Sequence, residues 1–260
     1  MNLYLFLIPG ALFLLVIFFR VVLPYLKNPR WKRLLDSARY ERSREHEEKS
    51  DELLEKAILR FPQQPQVYIE YFLNHTDAGN IQRRVEILLQ GYEETQDTAL
   101  AFFLGNAYLE HGEFSTAGQY LNTPQCREYM VEHRIPLYAQ LLYEEGHYEE
   151  AEKDFLDFYR RVFPSTDTQE NVLDDLSAQE LSLYVLILKA GGKDWRSVMD
   201  RVPKTSVHSD MGWKDYLSLL QDEQRKLKPA VTGINGDPAV FNRRRASYFS
   251  ERIKLVQQYL

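Results

Sequence analysis

The 260-residue chain contains one cysteine, Cys126. A single thiol excludes an intramolecular disulfide framework and any zinc site built on cysteines. What remains is a lone thiol in a helical core. The signatures of catalysis are missing too. There is no H-E-x-x-H and no G-x-S-x-G. Gly233-Ile-Asn-Gly236 is too short for a phosphate-binding loop and lacks the lysine that should follow it. The six histidines are scattered; His111 and His147 each sit beside a glycine and read as exposed turn residues rather than metal ligands. A positive balance is absent as well: the net charge of −6 gives no bulk attraction for nucleic acid. No residue is nominated as catalytic, cofactor-binding or metal-binding, and no small-molecule substrate is indicated.

Charge is unevenly placed. Residues 27–44 hold seven Lys/Arg against two acids, and residues 228–260 hold six against two. The stretch between them, 45–227, holds 18 basic and 34 acidic residues. The carboxylates Glu144, Glu145, Glu149, Glu150, Glu152, Asp154 and Asp157 crowd one short stretch and read as a solvated face; a cation site would need several of them to converge.

What is present in excess is hydrophobic length at the start. Leu3 to Leu26 is apolar except for Arg20. At about 1.5 Å per residue it spans a bilayer core of about 30 Å. Tyr25 and Trp31 stand where interfacial aromatics belong, and Lys27, Arg30, Lys32 and Arg33 follow. A cleaved signal peptide is the competing reading, but its charges precede the apolar run and a small-residue cleavage site ends it. Residues 1–27 are therefore expected to be an uncleaved single-pass anchor contacting lipid through residues 3–26. The flanking basic residues place the amino terminus outside and residues 27–260 in the cytoplasm, at a bacterial inner membrane. The sequon Asn74-His75-Thr76 matters only if the domain instead faces a lumen.

The next regularity is a period. Leu104-Gly105, Tyr108, Gly112, Phe114, Ala117 and Leu121 return 34 residues later as Tyr138-Ala139, Leu142, Gly146, Tyr148, Ala151 and Phe155. Small residues at Gly105, Ala117, Ala139 and Ala151 suit the closest approach of two paired helices. Gly112 and Gly146 suit the left-handed backbone of the turn between them. Such a hairpin cannot bury its own apolar face, so hairpins must stack.

This spacing resembles the tetratricopeptide repeat (TPR) family. The resemblance implies an all-α fold in which a transmembrane helix precedes an α-solenoid of antiparallel helix pairs. Four repeats are expected, at 31–64, 65–97, 98–131 and 132–165. In the first, Leu34, Ala38, Leu54, Ala57 and Pro62 fit the pattern, but its charged turn lacks glycine. The second is weaker, with Gly79 at the turn and Phe72 and Arg84 where small residues belong. Residues 166–260 are expected to form a degenerate repeat and carboxy-terminal capping helices. There, Ser177 to Glu180 is a capping box opening a buried helix over 178–190, and Trp195 to Val202 suggests its partner. Further helices are expected over 213–228 and from Pro238 to Leu260, the last with an apolar stripe.

By the same resemblance, the first helix of each repeat lines a groove that binds other proteins. The groove residues are Ile69, Leu73, Phe102, Asn106, Leu109, His133, Gln140 and Tyr143. The family's clamp for a peptide carboxyl terminus needs lysines where Phe102 and His133 stand, so an amphipathic helix or apolar peptide suits this groove better. Alternatively the chain's own carboxy-terminal helices fill it. Arg243, Arg244 and Arg245 form either a solvated face or a contact for anionic lipid or an acidic partner. The order of anchor and repeats is also similar to the lipopolysaccharide assembly protein B family, but that family's paired Cys-x-x-Cys motifs are absent. The function expected is a membrane-anchored scaffold that assembles or regulates a membrane complex. The same scaffold facing the periplasm, or a regulatory or catalytic subunit acting through residues 166–260, are the alternatives.

Overall fold

The computed structural model describes residues 29–74, 81–164, 173–174, 176–202, 211–226 and 238–260. The described residues form thirteen helices and no strand. The expected anchor, residues 3–26, and the turn at Gly79 lie outside them. Among the described residues no helix is long and apolar enough to cross a membrane. The chain divides into two compact units between Asn74 and His75.

The first unit contains α1 (Arg30–Ser43), α2 (Glu47–Arg60) and α3 (Pro65–Asn74). α1 and α2 form the hairpin expected from 31–64. Its small positions, Ala38 and Ala57, are buried, and so are Leu35 and Leu54. The missing turn glycine is replaced by Glu45, whose φ of 62° puts a side chain in the left-handed region. The buried hydroxyl of Ser50 donates to the carbonyl of Ala38 at 3.0 Å, joining the two helices. Pro62 and Pro65 separate α2 from α3, and Pro65 opens α3, where a missing N–H costs nothing.

The second unit contains α4 (Ile81–Thr95), α5 (Thr98–Glu110), α6 (Phe114–Leu121), α7 (Pro124–Glu132), α8 (Leu137–Glu144), α9 (Tyr148–Val162), α10 (Ala178–Ala190), α11 (Arg196–Met199), α12 (Trp213–Lys226) and α13 (Pro238–Tyr259). Thus α3 and α4, the helices of the expected second repeat, belong to different units.

The periodic stretch folds as two helical hairpins, α5–α6 and α8–α9. At their turns Gly112 and Gly146 take φ of 79° and 83°. α6 crosses α5 at Gly105, where an added Cβ would come within 2.5 Å of Leu121. Residues on either side of the turn thus meet, which makes the pair antiparallel. Ala117, Ala139 and Ala151 are fully buried at the equivalent places. The arrangement is helical and repeat-like, compatible with an α-solenoid.

One departure lies between the hairpins. The pattern calls for a single helix after the turn at Gly112. The chain instead stops α6 at Leu121 and starts α7, because Thr123 accepts from the Cys126 N–H at 3.2 Å and Pro124 occupies the first helical position. Arg134, at φ 56°, then turns the chain into α8. Cys126 is buried in α7, and desolvation pushes its thiol up to about 11.

The core runs on through the rest of the unit. Phe155 of α9 stacks on Tyr184 of α10 with centroids 5.0 Å apart. α10 opens with the expected capping box, Ser177 and Glu180 satisfying each other's backbone N–H. The expected partner helix shrinks to the single turn α11. Trp213 is fully buried, and its indole N–H donates to the Met199 carbonyl at 2.8 Å.

The two glycines near this core should respond in opposite senses. Gly105→Val is expected to cost about 1–3 kcal/mol through overpacking against Leu121. Gly118→Ala, whose Cβ would find only an ordinary contact with Leu141 at 3.6 Å, is expected to gain about 0.5–1 kcal/mol. Urea unfolding of both variants measures the two signs.

Candidate partner-binding groove

α5 and α8 are the first helices of successive hairpins, so residues 34 apart occupy matching places. Asn106 and Glu110 of α5 correspond in this way to Gln140 and Glu144 of α8. Each pair is four residues apart, hence on one helical face. Together with Leu109, Ile135 and Leu137 they line a cavity of about 390 Å³, closed on its other side by Arg244, Arg245, Tyr248 and Phe249 of α13. The carboxy-terminal helix therefore lies along the face expected to be the groove.

α13 makes contacts with the unit towards both of its ends. Near its start, Phe241 stacks on the ring of His111, 4.4 Å between centroids and 11° from parallel. Arg244 pairs with Glu144 at 3.1 Å and lies over the ring of Phe114. Gly112 makes this approach possible: a Cβ there would stand 3.3 Å from Arg244. Farther along, the hydroxyl of Tyr143 donates to Glu251 at 3.4 Å. Ile253, Leu255 and Val256 are buried in the core, and Tyr259 donates to Asp200 at 2.9 Å.

Burial sets the electrostatics. It lowers the pKa of His111, and the nearby charges of Arg84 and Arg244 add to the effect, against the opposing bond from the ring to the Ala107 carbonyl and the charge of Glu113. The Nε2 of His111 is buried without a hydrogen-bond partner. Burial raises Glu110, opposed by Arg245, by the hydrogen bond from Asn106 at 3.2 Å and by Arg84. Glu110 keeps an exposed surface despite its dense neighbourhood, so water screens part of this effect. The Tyr143 hydroxyl is pushed up to about 12, first by burial and then by the charges of Glu251 and Glu144.

The expected groove residues separate into groups. Asn106, Leu109 and Gln140 meet around the cavity, and Tyr143 lies on the same helix as Gln140. Phe102 and Leu109 are buried; Phe102 packs against Tyr129 of α7, 5.2 Å between centroids, so it is a core residue rather than a free contact. The helix α7, which the repeat pattern lacks, is what covers it. His133 is exposed at the end of α7, beside Tyr129. Ile69 and Leu73 belong to the first unit; Leu73 is exposed and Ile69 half-buried. In that unit, Arg39 bonds Glu70 and Arg42 bonds Asn74.

The three arginines have three different environments. Arg243 is exposed, Arg244 faces Glu144, and Arg245 lies over Phe241 at 5.1 Å. His111 is a correction: it is 7% exposed rather than a surface turn residue, because α13 covers it. His147, at the equivalent turn, is exposed. The crowded carboxylates disperse into pairs, Glu152 with Lys193, Asp154 with Arg127 and Asp157 with Arg160. Among the described residues no three metal-ligating side chains converge. Glu110 and Glu144 carried a readable signal that was missed, a shared period with Asn106 and Gln140. Phe241 and Phe249 carried none beyond an apolar stripe.

The buried histidine gives a pH dependence. Its folded pKa lies below the unfolded value of about 6.5, so the unfolded chain takes the proton first. The associated stability is present above about 6.5 and is lost as pH falls towards the folded pKa. His111→Phe keeps an aromatic stack and removes the titration. Thermal unfolding between pH 7.5 and 5 should show a smaller loss for this variant than for the unaltered chain.

No protein-family model matches the chain, and no match to it was found among curated proteins or among solved structures.

Proposed function

We propose that this chain is a membrane-anchored, TPR-like scaffold that binds other proteins and helps assemble or regulate a membrane-associated complex. The observation that carries the reading is the doubled polar pair, Asn106/Glu110 and Gln140/Glu144, set beside apolar Leu109 and Leu137 on matching helices. A repeated surface of this kind recognises an elongated partner better than a small molecule, because each repeat offers the same contact one step farther along. The wall charges are largely spoken for within the chain, Glu144 by Arg244 and Glu110 by Asn106 and Arg245. In this reading residues 3–26 tether the scaffold to the bilayer and residues 27–260 face the cytoplasm.

The tagged full-length chain, extracted from membranes in mild detergent, should retain a defined set of proteins identifiable by mass spectrometry. Asn106→Arg with Gln140→Arg should reduce at least one of them about tenfold, equivalent to about 1.4 kcal/mol, with helicity unchanged by circular dichroism. An unchanged set would remove the groove from the account. Phe102 is unsuitable for this purpose, since altering it tests folding. Protease digestion of spheroplasts reads the topology: a domain cut from outside would place the scaffold in the periplasm instead.

A further inference from the structure

We infer that the first half of α13, residues 238–250, is a displaceable pseudo-ligand, and that the partner is an amphipathic helix presenting an aromatic side chain with an arginine three residues after it. This rests on the groove reading above and names the occupant.

The two halves of α13 are held very differently. In the second half Arg252, Ile253, Leu255 and Val256 are all buried, and Leu255 and Val256 have no exposed surface. Lifting such aliphatic side chains back into water opposes release of this half. In the first half, among residues 239–250, Phe241 alone is buried; Val240 and Tyr248 are more than a third exposed, and Arg243, Ala246 and Ser247 are exposed. Beneath Arg244, Arg245, Tyr248 and Phe249 lies the cavity, so this stretch bridges its support rather than filling it.

Polar contacts are incomplete in both halves. Arg244 Nε and His111 Nε2 are buried without partners, and so is Arg252 Nε in the second half, so burial and the cavity, not polar matching, separate the two. Each such group loses its hydration without a bond in return. The ion pair from Arg244 to Glu144, with both side chains about a quarter exposed, returns little against that. Among the contacts of this half are the stack of Phe241 on His111 and against Ile81, the guanidinium of Arg244 between Glu144 and Phe114, and the partly buried ring of Phe249 against the core.

Those contacts also define the recognition chemistry. His111 offers a flat aromatic face, Glu144 a carboxylate and Phe114 a ring for a cation. Gly112 leaves the space in which the arginine stem lies. A partner helix repeating the spacing of Phe241 and Arg244 meets the same three groups. With apolar side chains turned inward at the places of Arg245 and Tyr248 it would also cover the apolar part of the cavity. Binding then requires the first half of α13 to swing off while the second half stays seated.

The intact chain tests this directly. Amide hydrogen exchange should be faster over residues 241–249 than over 253–258; equal protection of the two halves would overturn the proposal. A labelled peptide of residues 238–251 should bind the intact chain weakly. It should bind the chain carrying Phe241→Ala and Arg244→Ala about tenfold more tightly, as expected if the open state rises from a tenth to nearly all of the population. Adding Glu144→Arg should abolish that gain, and the peptide with Arg244→Glu should restore it. No gain in the weakened chain, with its helicity intact, would overturn the pseudo-ligand. If the peptide behaves as expected while the retained protein set ignores Asn106→Arg and Gln140→Arg, the pseudo-ligand stands and the scaffold reading fails.

Discussion

The crossing of α6 over α5 at Gly105 is the constraint on which the second unit depends. There is no room for even a methyl group between Gly105 and Leu121. That closeness lets Leu104, Leu121 and Ala117 disappear wholly from solvent and lets Tyr108 stack on Tyr120. Ala139 and Ala151 serve α8 and α9 in the same way. Neither hairpin closes its own apolar face, so the core passes from helix to helix, through Phe155 and Tyr184, to Trp213 and finally to Val256. Removing area from water at about 25 cal/mol per Å² favours such continuity over separate small cores.

Close pairing also determines what the surface offers. Because α5 and α8 are matching members of successive hairpins, their exposed edges repeat: a carboxamide and, one turn later, a carboxylate. Two acidic groups side by side call for positive charge, and the last helix supplies Arg244 and Arg245. Yet the fit is uneven. The far half of that helix belongs to the core, while the near half spans a cavity. A helix held in this way joins a permanent structural element to an exchangeable one.

Much of this was legible in the chain. The hairpins around Gly112 and Gly146, the capping box at Ser177 and the helix beginning at Pro238 all follow from local rules, and all are found. The split after Leu121 was also written locally, in Thr123-Pro124, but a 34-residue pattern read across it concealed the cap. Glu45 shows the converse: a turn formed without the glycine that marks such turns, held by its own N–H to the Arg42 carbonyl and by those of Arg44 and His46 to the Glu41 carbonyl. His111 and His147 occupy the same place in the period and have opposite fates. No property of either residue distinguishes them.

The sequence alone determined where helices start, stop and approach one another, because capping, proline, glycine and small-residue spacing act over a few residues or one hairpin. Only the tertiary structure decided that α13 lies along α5 and α8, that His111 is covered, and that a cavity remains between them. Those outcomes depend on contacts between residues a hundred or more positions apart, such as Arg244 with Glu144 and Phe241 with His111. At that separation the pairing is chosen by shape and charge in the assembled fold, not by any local preference of the chain.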